Sequence, residues 1–150
     1  MHVDIYTDGS CNNRTRVGGW CGILMSGDKY KEISGAVQDT TSQRMELVAA
    51  IEALKLLKFP CSVTLTSDSQ YLVEAFNSGW LYNWWKEDFK TARGERTNAD
   101  LWRELLNLSN EHDITFVHIR GHQGHKWNER CDWLAGMARR QLEKDIGLRI

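Results

Sequence analysis

The succession of strand-like and helical segments predicts an α/β protein with a mixed sheet, antiparallel in its first half and parallel in its second. Three observations carry this. Residues 1–37 contain apolar runs of strand character separated by glycine turns, a long amphipathic stretch follows, and from there strand-like runs alternate with helical ones. The composition agrees. A chain of 150 residues can build one domain with a core but not two comfortable ones, and 41% hydrophobic with 26% charged residues and one proline, Pro60, is a folded composition.

Val3, Ile5 and Thr7 alternate with Asp4, Tyr6 and Asp8, a period-two strand that Gly9 is expected to end in a turn. Gly18 to Met25 reads as the second arm of a hairpin, and Lys31 to Val37 as a third strand after the Ser26-Gly27-Asp28 turn. Thr41 or Ser42 caps a helix reaching about Lys58, with an inner stripe of Leu47, Ala50, Ile51, Leu54 and Leu57. Beyond Phe59-Pro60, Val63 to Thr66 forms a strand running out at Asp68, and Ser69 to Asn77 a short helix. Gly79 to Asn98 is an aromatic and charged stretch. Asp100 to Asn110 is a helix through Leu101, Leu105 and Leu108, Ile114 to Ile119 a strand, and Asn128 caps a last helix with Leu134, Ala135, Ala138 and Leu142 inward. The order is βββαβααβα, without internal repeat or linker, so residues 1–150 are expected to form a single domain.

Several classes fall away. No apolar run approaches the roughly 20 residues that span a bilayer, so no membrane is expected. The N-terminus Met-His-Val-Asp-Ile-Tyr begins as a strand and lacks the basic and apolar regions of a signal peptide. Cys11, Cys21, Cys61 and Cys131 include no Cys-x-x-Cys pair and read as free thiols in a reducing compartment, which makes the cytoplasm the expected location. The net charge of −1 supplies no global attraction to nucleic acid, so any phosphate-binding surface must be local.

Four carboxylates stand apart from this background: Asp8 in Tyr-Thr-Asp-Gly-Ser, Glu46 in Arg-Met-Glu-Leu, Asp68 in Thr-Ser-Asp-Ser-Gln and Asp132 in Asn-Glu-Arg-Cys-Asp. Each lies among apolar residues at the end or edge of an expected element. Gathering such groups against a core costs roughly 3 kcal/mol per pair at about 5 Å and an effective dielectric near 20. A divalent cation is the usual reason to tolerate that, and oxygen-only ligands favour magnesium or manganese.

Five segments then occur in order: Thr7-Asp8-Gly9-Ser10-Cys11, Arg44-Met45-Glu46-Leu47, Thr66-Ser67-Asp68-Ser69-Gln70-Tyr71, Gly121-His122-Gln123-Gly124-His125 and Asn128-Glu129-Arg130-Cys131-Asp132. With them the chain resembles type 1 ribonuclease H across nearly all its length. The resemblance implies a ribonuclease H-like fold, a five-stranded mixed sheet with helices on both faces. It also implies endonucleolytic cleavage of the RNA strand of RNA–DNA hybrids, with two magnesium ions (manganese as a substitute), leaving 3′-hydroxyl and 5′-phosphate ends. By the same likeness Asp8 bridges the metals, Glu46 and Asp68 complete one site and Asp132 the other, while His122 shuttles a proton or aids product release. The substrate contacts it implies are Cys11, Arg14, Thr41, Ser42, Gln43 and Gln70, with Trp80, Trp84, Lys86 and Lys90 in a binding handle over residues 79–98. The expected partner is the hybrid duplex alone, bound by a monomer with no obligate protein partner.

Each residue also has a plainer reading. Asp8 can be a turn residue before Gly9, Asp68 the N-cap of the next helix, Glu46 a capping-box partner and Asp132 a first-turn acid favoured by the helix dipole. Trp80 and Trp84, four apart on one helix face, can be a packed satellite cluster; Trp20 and Trp102 read as core. His122 and His125 can be a zinc pair, although no cysteine sits at suitable spacing. The chain departs from the family pattern in two places. The loop after Asp-Gly-Ser-Cys reads Asn12-Asn13-Arg14-Thr15-Arg16-Val17, with Arg14 where the family has a phosphate-holding asparagine, and Ser42-Gln43 replaces the asparagine pair before Arg-Met-Glu. The handle holds Lys86, Lys90, Arg93 and Arg96 against Glu87, Asp88 and Glu95, a net of only +1. Two other functions stay open at this stage: another nuclease of the same fold, of resolvase, integrase or reverse-transcriptase origin, and a non-catalytic hybrid-binding protein, which would be expected to have lost one of the four acids.

Overall fold

A five-stranded mixed sheet in the order β3-β2-β1-β4-β7 organises the chain, as a computed structural model that describes residues 1–120 and 124–148. The strands are β1 (His2–Cys11), β2 (Gly18–Ser26), β3 (Lys29–Val37), β4 (Ser62–Ser67) and β7 (Asp113–His118). The first three form an antiparallel meander, and β4 and β7 join parallel to β1. The helices are α1 (Ser42–Lys55), α2 (Gln70–Asn77), α3 (Trp80–Lys86), α4 (Ala99–Ser109) and α5 (Lys126–Leu148). A small hairpin, β5 (Lys90–Thr91) with β6 (Gly94–Glu95), falls inside the aromatic stretch and carries no sequence signal longer than two residues per arm.

The alternation along β1 and β2 divides the core in two. Val3, Ile5 and Leu24 face α1 and pack with Leu47, Ile51, Leu54, Leu65 and the fully buried Trp102 of α4. Cys21 and Ile23 point the other way, against Cys131 and Ala135 of α5. Helices thus cover both faces, and each large buried side chain contributes roughly 1.5–3 kcal/mol. Gly19 permits the close approach of α5, since a Cβ there would lie 2.1 Å from the Ala135 carbonyl oxygen. The Cys131 thiol donates to the Cys21 carbonyl oxygen at 3.1 Å, and burial pushes its pKa far up, so it is an inert core group. All four cysteines are free.

Several boundaries differ from the sequence reading for physical reasons. β1 does not turn at Gly9 but continues to Cys11, because Gly9 pairs with Trp20 in the β2 ladder. α1 stops at Lys55, where Leu56 and Leu57 close back onto Ala53 and Leu54. Thr41 is its N-cap, accepting from the Arg44 amide. Ser69, not Asp68, caps α2, accepting from the Leu72 amide, which leaves the Asp68 carboxylate to another role. Asn128 does not cap α5 but lies buried inside its first turn. His125 takes the cap position, its Nδ1 accepting from the Asn128 amide at 3.3 Å and its carbonyl from the Glu129 amide at 2.9 Å. Asp132 consequently sits in the second turn of α5 rather than the first.

Candidate active site

Asp8, Glu46 and Asp68 converge from three different elements, and one carboxylate oxygen from each lies within 4.8 Å of the others. The sheet register brings two of them together: in the parallel β1–β4 pairing Thr7 faces Ser67, so the next residues, Asp8 and Asp68, emerge side by side. Glu46 arrives from the first turns of α1. Gly9 makes its approach possible, since a Cβ at that position would fall 2.6 Å from both the Glu46 nitrogen and the Met45 carbonyl carbon. The glycine after Asp8 is there to admit a helix, not to make a turn.

The electrostatics are those of an uncompensated acidic cluster. Asp8 is only 3% exposed; burial first, then the charges of Glu46, Asp68 and Asp132, push its pKa up to about 10, against a partial offset from the Gly9 amide, which donates to Oδ1 at 2.9 Å. Burial and the Asp68 charge push Glu46 up to about 8, with Asp8 and the Gly9 amide offsetting part of this and Asp132 adding to it. The Asp8 Oδ2 and Glu46 Oε2 atoms are buried with no hydrogen-bond partner among the described residues. Buried polar atoms are normally satisfied. Two acceptor oxygens left open in an oxygen-only donor set fit a hard divalent cation. Asp132 does not join the three-acid group within 4.8 Å, but its charge is felt at both Asp8 and Glu46. His122, with Gly121 and Gln123, lies outside the described residues. The zinc-pair reading finds no support in His125, which is spent as a helix cap and packs tilted against Tyr6 at 5.4 Å between ring centroids.

The sequence-derived substrate residues fall into two groups around this cluster. Cys11 ends β1, its Sγ 3.5 Å from the Thr40 carbonyl oxygen, and Thr41, Ser42 and Gln43 are exposed at the start of α1. Gln70 is exposed at the start of α2 and donates to Glu74 at 3.3 Å. Arg14 is exposed in a loop organised by Asn12, whose side chain accepts from the Arg14 amide at 2.9 Å. Glu143 of α5 anchors that loop, accepting from Asn12 Nδ2 at 3.0 Å and Thr15 Oγ1 at 2.7 Å while Arg139 donates to its other oxygen at 2.7 Å.

The aromatic stretch both packs and projects. Trp84 sets its edge against Trp102 at 5.3 Å, whereas Trp80 is 43% exposed and Lys86 and Lys90 reach solvent. Gln43, Tyr71, Trp84, Arg93 and Arg96 line a cleft of about 380 Å³ between α1 and the small hairpin. Arg93 and Arg96 belong to the handle cations counted from the sequence, whereas Tyr71 is not among the substrate contacts expected from it. Arg96 stacks over Trp84 at 4.6 Å. The Tyr71 hydroxyl accepts from Asn98 at 3.1 Å and Trp102 at 3.0 Å, leaving its own proton to donate elsewhere. Tyr71 closes one of the five family segments, but its role is not legible there, because its partners Asn98 and Trp102 come from some thirty positions on.

A family model described as RNase H matches residues 1–140. Among curated relatives, the Ribonuclease H of Acetivibrio thermocellus is 51% identical over 134 residues, covering 89% of this chain and 91% of that protein. That of Chlorobium luteolum is 49% identical over 137 residues, covering 91% and 94%. Among solved structures, LC9-RNase H1, described as a type 1 RNase H with the type 2 active-site motif, superposes with a TM-score of 0.83 at 28% identity over 92% of this chain and 72% of that one. LC11-RNase H1 in complex with RNA/DNA hybrid superposes at 0.72 and 21% identity, over 93% and 98%, a likeness of fold.

Proposed function

The chain belongs to the RNase H family, an enzyme hydrolysing the RNA strand of RNA–DNA hybrids, and on that premise we propose how its own residues divide the work. The observation that carries the proposal is the convergence of Asp8, Glu46 and Asp68 with two buried, unpartnered carboxylate oxygens. These three acids and Asp132 would hold two divalent cations, magnesium by preference and manganese as a substitute. When bound, such ions neutralise the phosphate and lower the pKa of water. Asp8, only 3% exposed, would serve both ions, with Glu46 and Asp68 completing the set for one and Asp132 for the other.

His122, by the family likeness, accepts or delivers a proton in the reaction and is not a ligand. Cys11, Arg14, Thr41, Ser42, Gln43 and Gln70 contact the hybrid around the scissile phosphate. Trp80, Trp84, Lys86 and Lys90, with Arg93 and Arg96, take the DNA strand in a handle over residues 79–98, and residues 1–150 act together as one catalytic domain. The products carry 3′-hydroxyl and 5′-phosphate ends. The enzyme works as a monomer without an obligate partner. No helix among the described residues is long and apolar enough to cross a membrane. The free thiols support a reducing compartment, the cytoplasm.

The test offers end-labelled hybrid, duplex RNA and duplex DNA with magnesium or EDTA. Magnesium-dependent cutting of the RNA strand of the hybrid alone, with 5′-phosphate products, is expected. Equal cutting of duplex RNA or DNA would sink the substrate assignment.

A further inference from the structure

α5 starts beside the active site and runs away from it across the sheet. Its inward side brings Asp132 near enough for its charge to act on Asp8 and packs Cys131 and Ala135 into the core. Its outward face bears Lys126, Arg130, Trp133, Met137, Arg140 and Lys144, spaced by three or four residues and therefore aligned in one stripe. All six are exposed, with Trp133 at 49% and Met137 at 46%. The stripe extends about 27 Å at 1.5 Å per residue.

Three features separate it from an ordinary solvated helix face. The acids of α5 that could neutralise it are engaged elsewhere: Asp132 faces the cluster, and Glu143 is turned inward to Arg139, Asn12 and Thr15. Glu129 borders the stripe, and Asp145, beside Lys144 in sequence, accepts from Gln141 at 2.9 Å. Among the described residues no acid forms an ion pair with Lys126, Arg140 or Lys144; only Arg130 is committed, to Glu32 at 2.8 Å. Finally, a large aromatic stands at the centre of the cations, with the Arg130 guanidinium 5.0 Å from the Trp133 ring. An exposed tryptophan in one stripe with the unpaired cations Lys126, Arg140 and Lys144 is the chemistry that grips a nucleic-acid backbone and stacks on a base. The chain as a whole has a net charge of −1, so this excess is local and not a general basicity.

We propose that the outer face of α5 is a second nucleic-acid contact surface, taking the phosphate backbone of substrate that extends beyond the cleavage site. Arg140 and Lys144 bind phosphates, and Trp133 stacks on a base or sugar. This rests on the hybrid-nuclease reading above and adds to it a footprint longer than the site and handle provide. The face is continuous with the site through Asp132 and Trp133, neighbours in the chain about 100° apart around one helix. A duplex as long as the stripe presents about 16 phosphates on a B-form scale, enough to engage both cations at once.

The experiment measures binding in EDTA by fluorescence anisotropy over a salt series. It uses a short hybrid confined to the site and handle, and the same hybrid extended by single-stranded and by duplex flanks. For the double variant Arg140→Gln/Lys144→Gln, the log–log salt slope on the extended substrates should fall by roughly 1.8, two contacts at about 0.9 each, with the short hybrid unchanged. Trp133→Ala should weaken extended-substrate binding about tenfold without changing the slope. The exchange Arg140→Lys/Lys144→Arg should keep the wild-type slope. Cleavage of the short hybrid by every variant should stay near the wild-type rate, which also reports that the fold is intact.

Wild-type slopes on extended substrates in the double variant would overturn the proposal, as would an equal loss on short and extended hybrids. Vesicles of anionic phospholipid form a further arm: loss of vesicle binding in the double variant, with hybrid slopes intact, would reassign the face to a lipid surface. Wild-type protein that binds the extended hybrid through these residues yet fails to cut it would sink the nuclease reading and leave the contact surface standing.

Discussion

Asp8→Asn should make the metal-free protein more stable while abolishing catalysis. Asparagine keeps the shape of the side chain and its acceptor for the Gly9 amide, and removes the charge. The magnitude follows from the site. Asp8 is 3% exposed, so its interactions are little screened by solvent. With its pKa raised from 3.8 to about 10, the folded apo protein must take up a proton at neutral pH that the unfolded chain does not need. At pH 7 that uptake has a ceiling of about 4 kcal/mol, from 1.36 kcal/mol per pH unit above the unfolded value. Relaxation of the cluster lowers the expected gain for Asp8→Asn to about 2–4 kcal/mol, or a rise in Tm of very roughly 5–15 °C for a chain of this size.

The sign has a pH signature. Below pH 4 the carboxyl is protonated in both states and the substitution changes little. As pH rises from there toward the folded pKa, wild-type stability falls and the variant's advantage grows. Urea denaturation in EDTA at pH 4, 5.5 and 7 reads this directly. In wild type, magnesium at 100-fold excess over its dissociation constant should restore about 2.7 kcal/mol, and in Asp8→Asn that gain should shrink. A variant less stable than wild type at pH 7, or an advantage independent of pH, would refute the account of an uncompensated cluster. Residual cleavage within tenfold of wild type would refute the metal-bridging role.

Further outcomes test the surroundings of the site. His122→Ala should slow turnover by roughly one to three orders of magnitude, the worth of a single proton-transfer group; a loss as complete as that of Asp8→Asn would make it a ligand. Gly9→Ala should destabilise the protein by about 1–3 kcal/mol and displace Glu46, because its methyl group meets backbone that has no free rotamer; unchanged Tm and unchanged magnesium affinity would refute the close-approach argument. Glu143→Ala should raise KM for the hybrid several-fold with little change in kcat, by releasing the Asn12–Val17 loop; an unaltered KM would show that the loop makes no substrate contact. Arg93→Gln/Arg96→Gln should lower the salt slope of short-hybrid binding by roughly 1–2, whereas Trp84→Ala should weaken binding at nearly constant slope.

Much of this was legible in the residues themselves because it is local. Period-two alternation at Val3, Ile5 and Thr7, the Thr41 cap and the stripe from Leu47 to Leu54 each declare their element within a few positions, and the five ordered segments declare the four acids. What the local pattern misread were residues whose role is set by a distant partner. Gly9 has the signature of a turn, yet its missing side chain serves Glu46, 37 positions on, across a sheet-to-helix contact. Asp68 looks like a helix cap until Ser69 takes that bond and the parallel register with β1 delivers the carboxylate to Asp8. Arg96 and Glu143 lie in no motif, and the motif that ends at Tyr71 assigns it no task, because all three matter through Trp84, Asn12 and Trp102, which the folded chain brings to them. Secondary structure and the identity of the acids follow from near-neighbour chemistry. The closeness of those acids, and the repulsion that prepares them for a cation, exist only once the tertiary fold has brought three separate elements to one point.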